Sequence, residues 1–327
     1  MKNGIRRLWI FASGIGMITI LGFLNSATAI EYPTKPIEYI CPFGAGSAIS
    51  LADRIIADKL TQILGKSVLV IHKPGAGGAI AASYLAKARP DGYTIGEVTS
   101  AGHGVTVALR ADVPYKVSDF EVLGQYGYNF LSMTVREDAP WKTAKDLAEY
   151  AKKNPGVLKY GSIGVGSATQ LGMELFKIAA GRLKIDHIPF KSGPEIGAAI
   201  LGGHVQTGTY IWGTVKALYE AKKVRILAVT IPAEELPGIP TFAEAGYPEV
   251  NLTAFYGSGA PKGLPKEVSS ILRDALAKAF QDPKVKEMFR NIGVTPFYRT
   301  PEAYRKYLED QIVLYKWIGK EANITLE

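Results

Sequence analysis

The chain has 327 residues, 47% apolar and 21% charged, with 35 Gly, 19 Pro, one Cys and a formal charge of +8. That length accommodates two domains with a core in each, and a glycine excess without a Gly-X-Y period or low-complexity tract excludes collagen and disorder. Cys41 is alone, and His72, His103, His187 and His204 lie far apart, which excludes a disulfide scaffold and a Cys/His zinc module.

Lys2, Arg6 and Arg7 precede an apolar run from Leu8 to Leu24, followed by Asn25, Ser26 and the triplet Ala27-Thr28-Ala29. A cationic stretch, an apolar stretch and a small-x-small triplet in that order predict a secretory signal peptide over residues 1–29, with export and cleavage. The alternative is an N-terminal anchor; Gly14, Gly16 and Gly22 inside the run and the cleavage-like triplet favour export. Removing the three cations leaves +5 over 298 residues, dispersed in pairs such as Lys152-Lys153 and Lys222-Lys223 that read as helix ends. No nucleic-acid partner is expected from that distribution.

The mature chain alternates strands and helices. Pro36–Cys41 reads as a buried strand, Pro42–Ile49 as a loop, and Ser50–Leu64 as a helix stopped by Gly65. Ser67–His72 is a strand, Ala79–Ala88 a helix after the glycine-rich Pro74–Gly78, and Tyr93–Val98 a strand after the Asp91-Gly92 turn. Helices are predicted over 143–153, 168–180 and 194–201, with strands over 157–160, 184–188, 205–209 and 224–229. Such alternation predicts an α/β fold of mostly parallel sheets flanked by helices. Beyond Lys266, three helices around 268–280, 283–291 and 301–321 follow with no strand between them and are expected to wrap a domain.

Two strand–loop–helix junctions echo one another. The first strand runs into Pro42-Phe43-Gly44-Ala45-Gly46-Ser47-Ala48, and a later one into Gly161-Ser162-Ile163-Gly164-Val165-Gly166-Ser167-Ala168. Ligands of open α/β sheets sit beyond the carboxyl ends of the strands, and a Gly/Ser loop at a helix N-terminus offers free N–H groups and the positive end of the helix dipole. The pair predicts an anion held between two halves of the chain, although single Gly/Ser loops also serve as plain connectors. Neither loop fits G-x-G-x-x-G, and neither G-x-S-x-G nor H-E-x-x-H occurs. Cys41 reads as an inert buried thiol. His103 is open between a place in the cleft and an ordinary cap, and Tyr210 and Trp212 between an apolar wall and core.

Several segments carry a family resemblance, in order along the chain. Tyr32-Pro33-Thr34-Lys35-Pro36, Pro42-Phe43-x-x-Gly46, Pro74-Gly75-Ala76-Gly77-Gly78, Pro90-Asp91-Gly92-Tyr93-Thr94, Tyr160-Gly161-Ser162-x-Gly164-x-Gly166-Ser167, Pro189-Phe190-Lys191-x-Gly193 and Pro240-Thr241-Phe242-Ala243-Glu244-Ala245-Gly246-Tyr247-Pro248 closely resemble the substrate-binding proteins of tripartite tricarboxylate transporters, the TctC or Bug family. The resemblance implies a two-lobed periplasmic binding protein of Venus flytrap shape, without cofactor or catalysis. It would capture an organic carboxylate and deliver it to integral-membrane transporter subunits. A periplasmic sensor docking on a membrane receptor, or an exported hydrolase, is the alternative. The chain departs from the family at Ser50, where an Asp is common, at Gln170, where a His is often found, and at Phe255, where a Trp is frequent.

The expected lobes are residues 30–127 with 251–327, and 128–250, in a monomer with hinges near Gly127 and Asn251. The expected ligand-binding residues are Phe43, Gly44, Ala45, Gly46, Ser47, Ser50, His103, Gly161, Ser162, Gly164, Gly166, Ser167, Gln170, Phe190, Tyr210 and Phe255. A β-branched residue at Gly46 or Gly166 is expected to abolish binding and spare the fold, whereas Arg54 and Lys191 are expected to be dispensable. With Ser50 in place of an acid, an ammonium group would be buried without a counter-charge, so an aromatic or medium-chain carboxylate is expected over citrate or an amino acid.

Overall fold

The computed structural model describes residues 31–326; the expected signal peptide, residues 1–29, lies outside them. The first flank of the sheet is built from β1 (Ile37–Cys41), α1 (Ala48–Leu64), β2 (Val68–His72), α2 (Ala79–Ala86), β3 (Thr94–Thr99) and the short α3 (Thr106–Leu109), a wide helical turn over Ser100–Val105 joining the last two. A long strand β4 (Phe120–Arg136) leads to α4 (Ala144–Lys153), β5 (Lys159–Ser162), α5 (Ala168–Ala179), β6 (Asp186–Pro189), α6 (Gly193–Leu201), β7 (Thr207–Ile211), α7 (Trp212–Glu220) and β8 (Val224–Val229). The chain returns through β9 (Thr253–Pro261) to α8 (Lys266–Gln281), α9 (Pro283–Asn291), β10 (Thr295–Arg299) and α10 (Pro301–Ala322). Local chemistry sets many of these boundaries. Thr143 and Asp146 form a capping box at α4, Ser192 caps α6 with Pro194 in its first turn, and Gly65 ends α1 in the left-handed region at φ 68°.

The strands form one sheet in the order β2-β1-β3-β9-β4-β7-β5-β6, with β8 and β10 also paired to β4. Strand β4 serves both flanks: Phe130 is the last of its residues opposite β9, facing Thr253, and Leu131 already faces Ile211 of β7. The sheet is mixed, a correction to the mostly parallel pairing expected. Parallel pairs occur on the outer flanks, β2-β1-β3 and β7-β5-β6, where helical crossovers connect the strands. In the middle, β4 carries the chain across and β9 brings it back, so those two must run antiparallel. A second correction concerns the C-terminal region, where β10 lies between α9 and α10 and pairs with β4, Thr295 opposite Tyr128. It is a strand along the first half of β4 that contains Pro296, a composition that conceals strands from sequence reading.

Ile55, Ile56 and Leu60 of α1 bury against Leu272 and Leu276 of α8 and Phe289 of α9. Ile196 and Ile200 of α6 and Val215 of α7 pack with Phe130 and Trp212, whose rings stack at 6.1 Å, so Trp212 is core. Tyr304, Leu308, Tyr315 and Ile318 of α10 join a third cluster with Leu171 and Phe176 of α5. Among the described residues no helix is long and apolar enough to cross a membrane.

Candidate functional site

The two echoing loops adopt similar backbones on different foundations. In the first, Ser47 is the N-cap of α1 and its Oγ accepts from the Ser50 N–H at 3.1 Å. Gly46 before it has φ +86°, a region open to glycine. The Phe43 carbonyl is pinned by His72 Nδ1 at 2.8 Å. Gly44, Ala45 and Gly46 are exposed, and among the described residues their N–H groups donate to nothing within the chain. Three free amides therefore stand beside the positive end of a 17-residue helix.

In the second loop most donors are already used. The Ile163 N–H donates to Thr169 Oγ1, the Gly164 N–H to Ser162 Oγ, the Gly166 N–H to Gln170 Oε1 and the Ser167 N–H to the Gly164 carbonyl. Ser167 caps α5 by accepting from the Gln170 N–H at 3.2 Å. Gly166, at φ +73°, leaves no room for a side chain, because an added Cβ would stand 2.7 Å from Leu326 Cδ2. Beneath the loop, Ser162 Oγ meets His187 Nε2 at 2.6 Å and Gln170 Nε2 meets His187 Nδ1 at 3.2 Å. Gln170 spends its oxygen on Gly166, so its amide donates to Nδ1 and His187 carries its proton on Nε2. Burial lowers the pKa of this imidazole.

That Ser–His pair is not arranged as a nucleophile and base. Ser162 is fully buried, its Oγ donates to the Gly164 carbonyl at 3.0 Å, and the far imidazole nitrogen faces an amide instead of a carboxylate.

Two cavities adjoin the first loop. The larger, about 850 Å³, is lined by Ser47 and Ile49 of that junction, Asn129 of β4, Tyr256 of β9, Ser192 and Gly193 at the start of α6, Ile211, Thr214 and Leu218 around α7, and Ile292 and Gly293 after α9. No charged side chain lies in this lining. The smaller, about 330 Å³, is lined by Phe43, Gly77, Ala101, Val105, Arg110, Ile163, Val165, Gly166, Ser167 and Leu326. The segment from Phe43 to Ile49 reaches both. Asn129, Thr214 and Ile292 escaped sequence reading because they come from the middle of β4 and the ends of α7 and α9, which only the fold brings beside α1.

Phe43, Ser47, Gly166 and Ser167 thus line cavities, and Gly44, Ala45, Gly46 and Gly164 are loop backbone. Gly161, Ser162, Gln170 and Tyr210 support the second loop from below; the Tyr210 hydroxyl stands 3.0 Å, and the Phe190 ring 3.2 Å, from where a Gly161 Cβ would be. Ser50 is buried inside α1. His103 and Phe255 lie in the core and line neither cavity. The His103 ring packs edge-on against Phe120 at 4.6 Å and its Nδ1 accepts from the Thr99 N–H at 3.2 Å. Burial pushes its pKa down to about 3, so it stays neutral. Phe255 packs between Tyr304 and Tyr307. Cys41 is buried, which raises its thiol pKa and makes it a poor nucleophile. Arg54 and Lys191 are exposed and line neither cavity.

The family model described as "Tripartite tricarboxylate transporter family receptor" matches residues 52–324. The protein BugT of Bordetella pertussis is 30% identical over 315 residues, covering 95% of this chain and 96% of its own. A solved structure described as a periplasmic transporter is 35% identical and superposes with a TM-score of 0.77, covering 90% of this chain and all of the other. An R. palustris protein solved with adipate is 29% identical, with a TM-score of 0.78 and coverage of 90% and 99%. The α/β fold expected from sequence, a sheet flanked by helices, superposes on these structures.

Proposed function

The chain belongs to the tripartite tricarboxylate transporter receptor family, TctC, and on that premise we propose that it captures an organic carboxylate between its two Gly/Ser loops and delivers it to membrane transporter subunits. The observation that carries this reading is the set of unengaged amides at Gly44, Ala45 and Gly46, beside the N-terminus of α1, whose cap Ser47 lines the uncharged larger cavity. A carboxylate accepts from such amides, and the helix dipole adds to the attraction. In this account Val165, the one amide of the second loop between Ile163 and Ser167 without an internal acceptor among the described residues, completes the clamp. Residues 30–127 with 251–327, and residues 128–250, move as lobes about the β4–β9 ribbon. The periplasm is reached through the signal peptide, and the binder works as a monomer.

The larger cavity offers Ile49, Ile211, Leu218 and Ile292 as walls and Ser47, Asn129, Thr214 and Tyr256 as neutral polar partners. An amino acid would leave its ammonium there without a counter-charge, at a cost of several kcal/mol. Citrate would bring more negative charge than the free amides can serve. The preferred class is a medium-chain or aromatic carboxylate, and adipate bound to a relative falls within it.

A thermal-shift screen across some tens of carboxylates tests the reading, since a ligand of the native state raises Tm with concentration. The expected result is the largest rise with an adipate-like or aromatic acid recovered chemically unchanged. A largest rise with aspartate or glutamate would refute the ligand class, and no rise with any carboxylate would refute the binding reading itself.

A further inference from the structure

Beneath the first loop the core contains a group of side chains that carboxylate binding does not use. Cys41 ends β1, Asp53 lies six residues past the Ser47 cap in α1, and Glu97 is in β3. Their relative exposures are 0%, 0% and 2%, and one ligating atom from each lies within 4.8 Å of the other two. The Tyr126 hydroxyl of β4 stands 2.7 Å from Asp53 Oδ1 and 2.8 Å from Glu97 Oε1. One phenolic proton can serve only one of two carboxylates at a time. The second oxygens, Asp53 Oδ2 and Glu97 Oε2, are buried with no hydrogen-bond partner among the described residues.

Buried acids are ordinarily paired with cations or bound to metal. Here no lysine, arginine or histidine contributes to the electrostatics of either carboxyl, and burial dominates both. The polar groups that meet here are a thiol, two carboxyls and the Tyr126 phenol, drawn from β1, α1, β3 and β4. We propose that Cys41, Asp53 and Glu97 form a closed structural site for a divalent transition-metal ion of the zinc type.

The donor set favours that class. A thiolate sulfur is a poor partner for magnesium or calcium, which take oxygen ligands, whereas zinc accepts sulfur and carboxylate oxygen in a four-coordinate shell. Zinc–sulfur bonds of about 2.3 Å and zinc–oxygen bonds of about 2.0 Å place tetrahedral ligand atoms somewhat closer together than the limit observed here, so a modest rotation of the side chains closes the shell. Tyr126 is placed either as the fourth ligand or as the donor that orients the carboxylates. The ion would neutralise most of the charge of a deprotonated thiol and two carboxylates. Each ligand is fully enclosed, so the metal enters as the chain folds and is held afterwards against chelators. Its position matters for the cleft: β1 and α1 flank the first loop, and β3 leads into the turn at Ser100–Val105 that lines the smaller cavity.

The test is to unfold the reduced full chain, remove metal, and refold it with one equivalent of Zn²⁺ or with EDTA alone. The expected result is about one zinc per chain retained through gel filtration in EDTA, a higher Tm for the zinc-refolded sample, and protection of Cys41 from thiol reagents under mild denaturant. Asp53→Asn and Glu97→Gln should retain no zinc and show the same Tm with or without it. Refolding the wild-type chain with Co²⁺ should give a thiolate-to-cobalt charge-transfer band that Cys41→Ser lacks, a readout that stands even if the carboxyl variants fold poorly. Wild-type protein that retains no zinc and gives no thiolate band would overturn the site, leaving two carboxyls held by protons. Zinc retention that survives Glu97→Gln and Cys41→Ser would overturn it equally, by placing the metal elsewhere.

Discussion

The loops Phe43–Ser47 and Ile163–Ser167 look alike in sequence and share a design, a strand end followed by glycines and a serine cap. Yet the first leaves three amides free and meets nothing where Cβ atoms on Gly44 or Gly46 would stand. The second binds four of its own amides, rests on a Ser162–His187–Gln170 network and is pressed by Leu326. The same motif thus yields one loop that offers donors and one that holds a shape. Ligand affinity should be sensitive to conformation in the first and to support in the second.

The largest expected effect separates two substitutions that sequence alone treats as equivalent. Gly166→Val combines a left-handed backbone with an overlap against Leu326, a cost of roughly 2–5 kcal/mol. Chemical denaturation should show that loss together with loss of carboxylate binding. Adding Leu326→Ala should recover part of the stability; no recovery would mean that the C-terminal segment does not brace the loop.

Next is Gln170→Ala, which leaves the buried Gly166 N–H without its acceptor. We expect roughly 1–3 kcal/mol of destabilisation and weaker binding by calorimetry. Gly46→Val, with open space around it but φ +86°, should cost roughly 1–2 kcal/mol while removing measurable binding. If Gly46→Val bound normally, the first loop would not be the donor.

Acidification should act on the second loop through His187. Burial lowers the pKa of His187, so the unfolded chain takes up a proton before the folded one does. Stability is then lost as pH falls below the ordinary histidine value near 6.5 toward the lower folded value. Protonation also places a proton on Nδ1 opposite the Gln170 amide donor. Binding should therefore weaken as pH falls below the ordinary histidine value in the wild type, and less so in His187→Gln; identical pH profiles would disprove the linkage. His103, neutral down to about pH 3, adds an acid-dependent background common to both proteins. The smallest effect belongs to Arg54→Ala, an exposed side chain that lines neither cavity, where unchanged affinity is expected by calorimetry.

What the sequence made legible was local. Serine caps, glycine stops and apolar periodicity located the helices, and the two loops could be read because their chemistry lies within about eight residues. Strand β4 was hidden because it is buried almost end to end, so its sequence has no alternation, and Gly124 and Gly127 interrupt it where the register shifts. Strand β10 was hidden by Pro296. The larger cavity depends on Asn129, Thr214 and Ile292, and the core cluster on residues 41, 53 and 97; only the packing of β1, α1, β3 and β4 unites the latter.

The central claim is that backbone amides of the first loop hold the carboxylate. Amide nitrogen–proton NMR spectra during titration with the acid giving the largest thermal shift test it most directly. The account predicts downfield proton shifts at Gly44, Ala45 and Gly46, with Val165 responding in the same titration and the Arg54 side chain unmoved. Saturable binding that leaves those three glycine-loop amides unshifted, while perturbing arginine or lysine side chains, would contradict it.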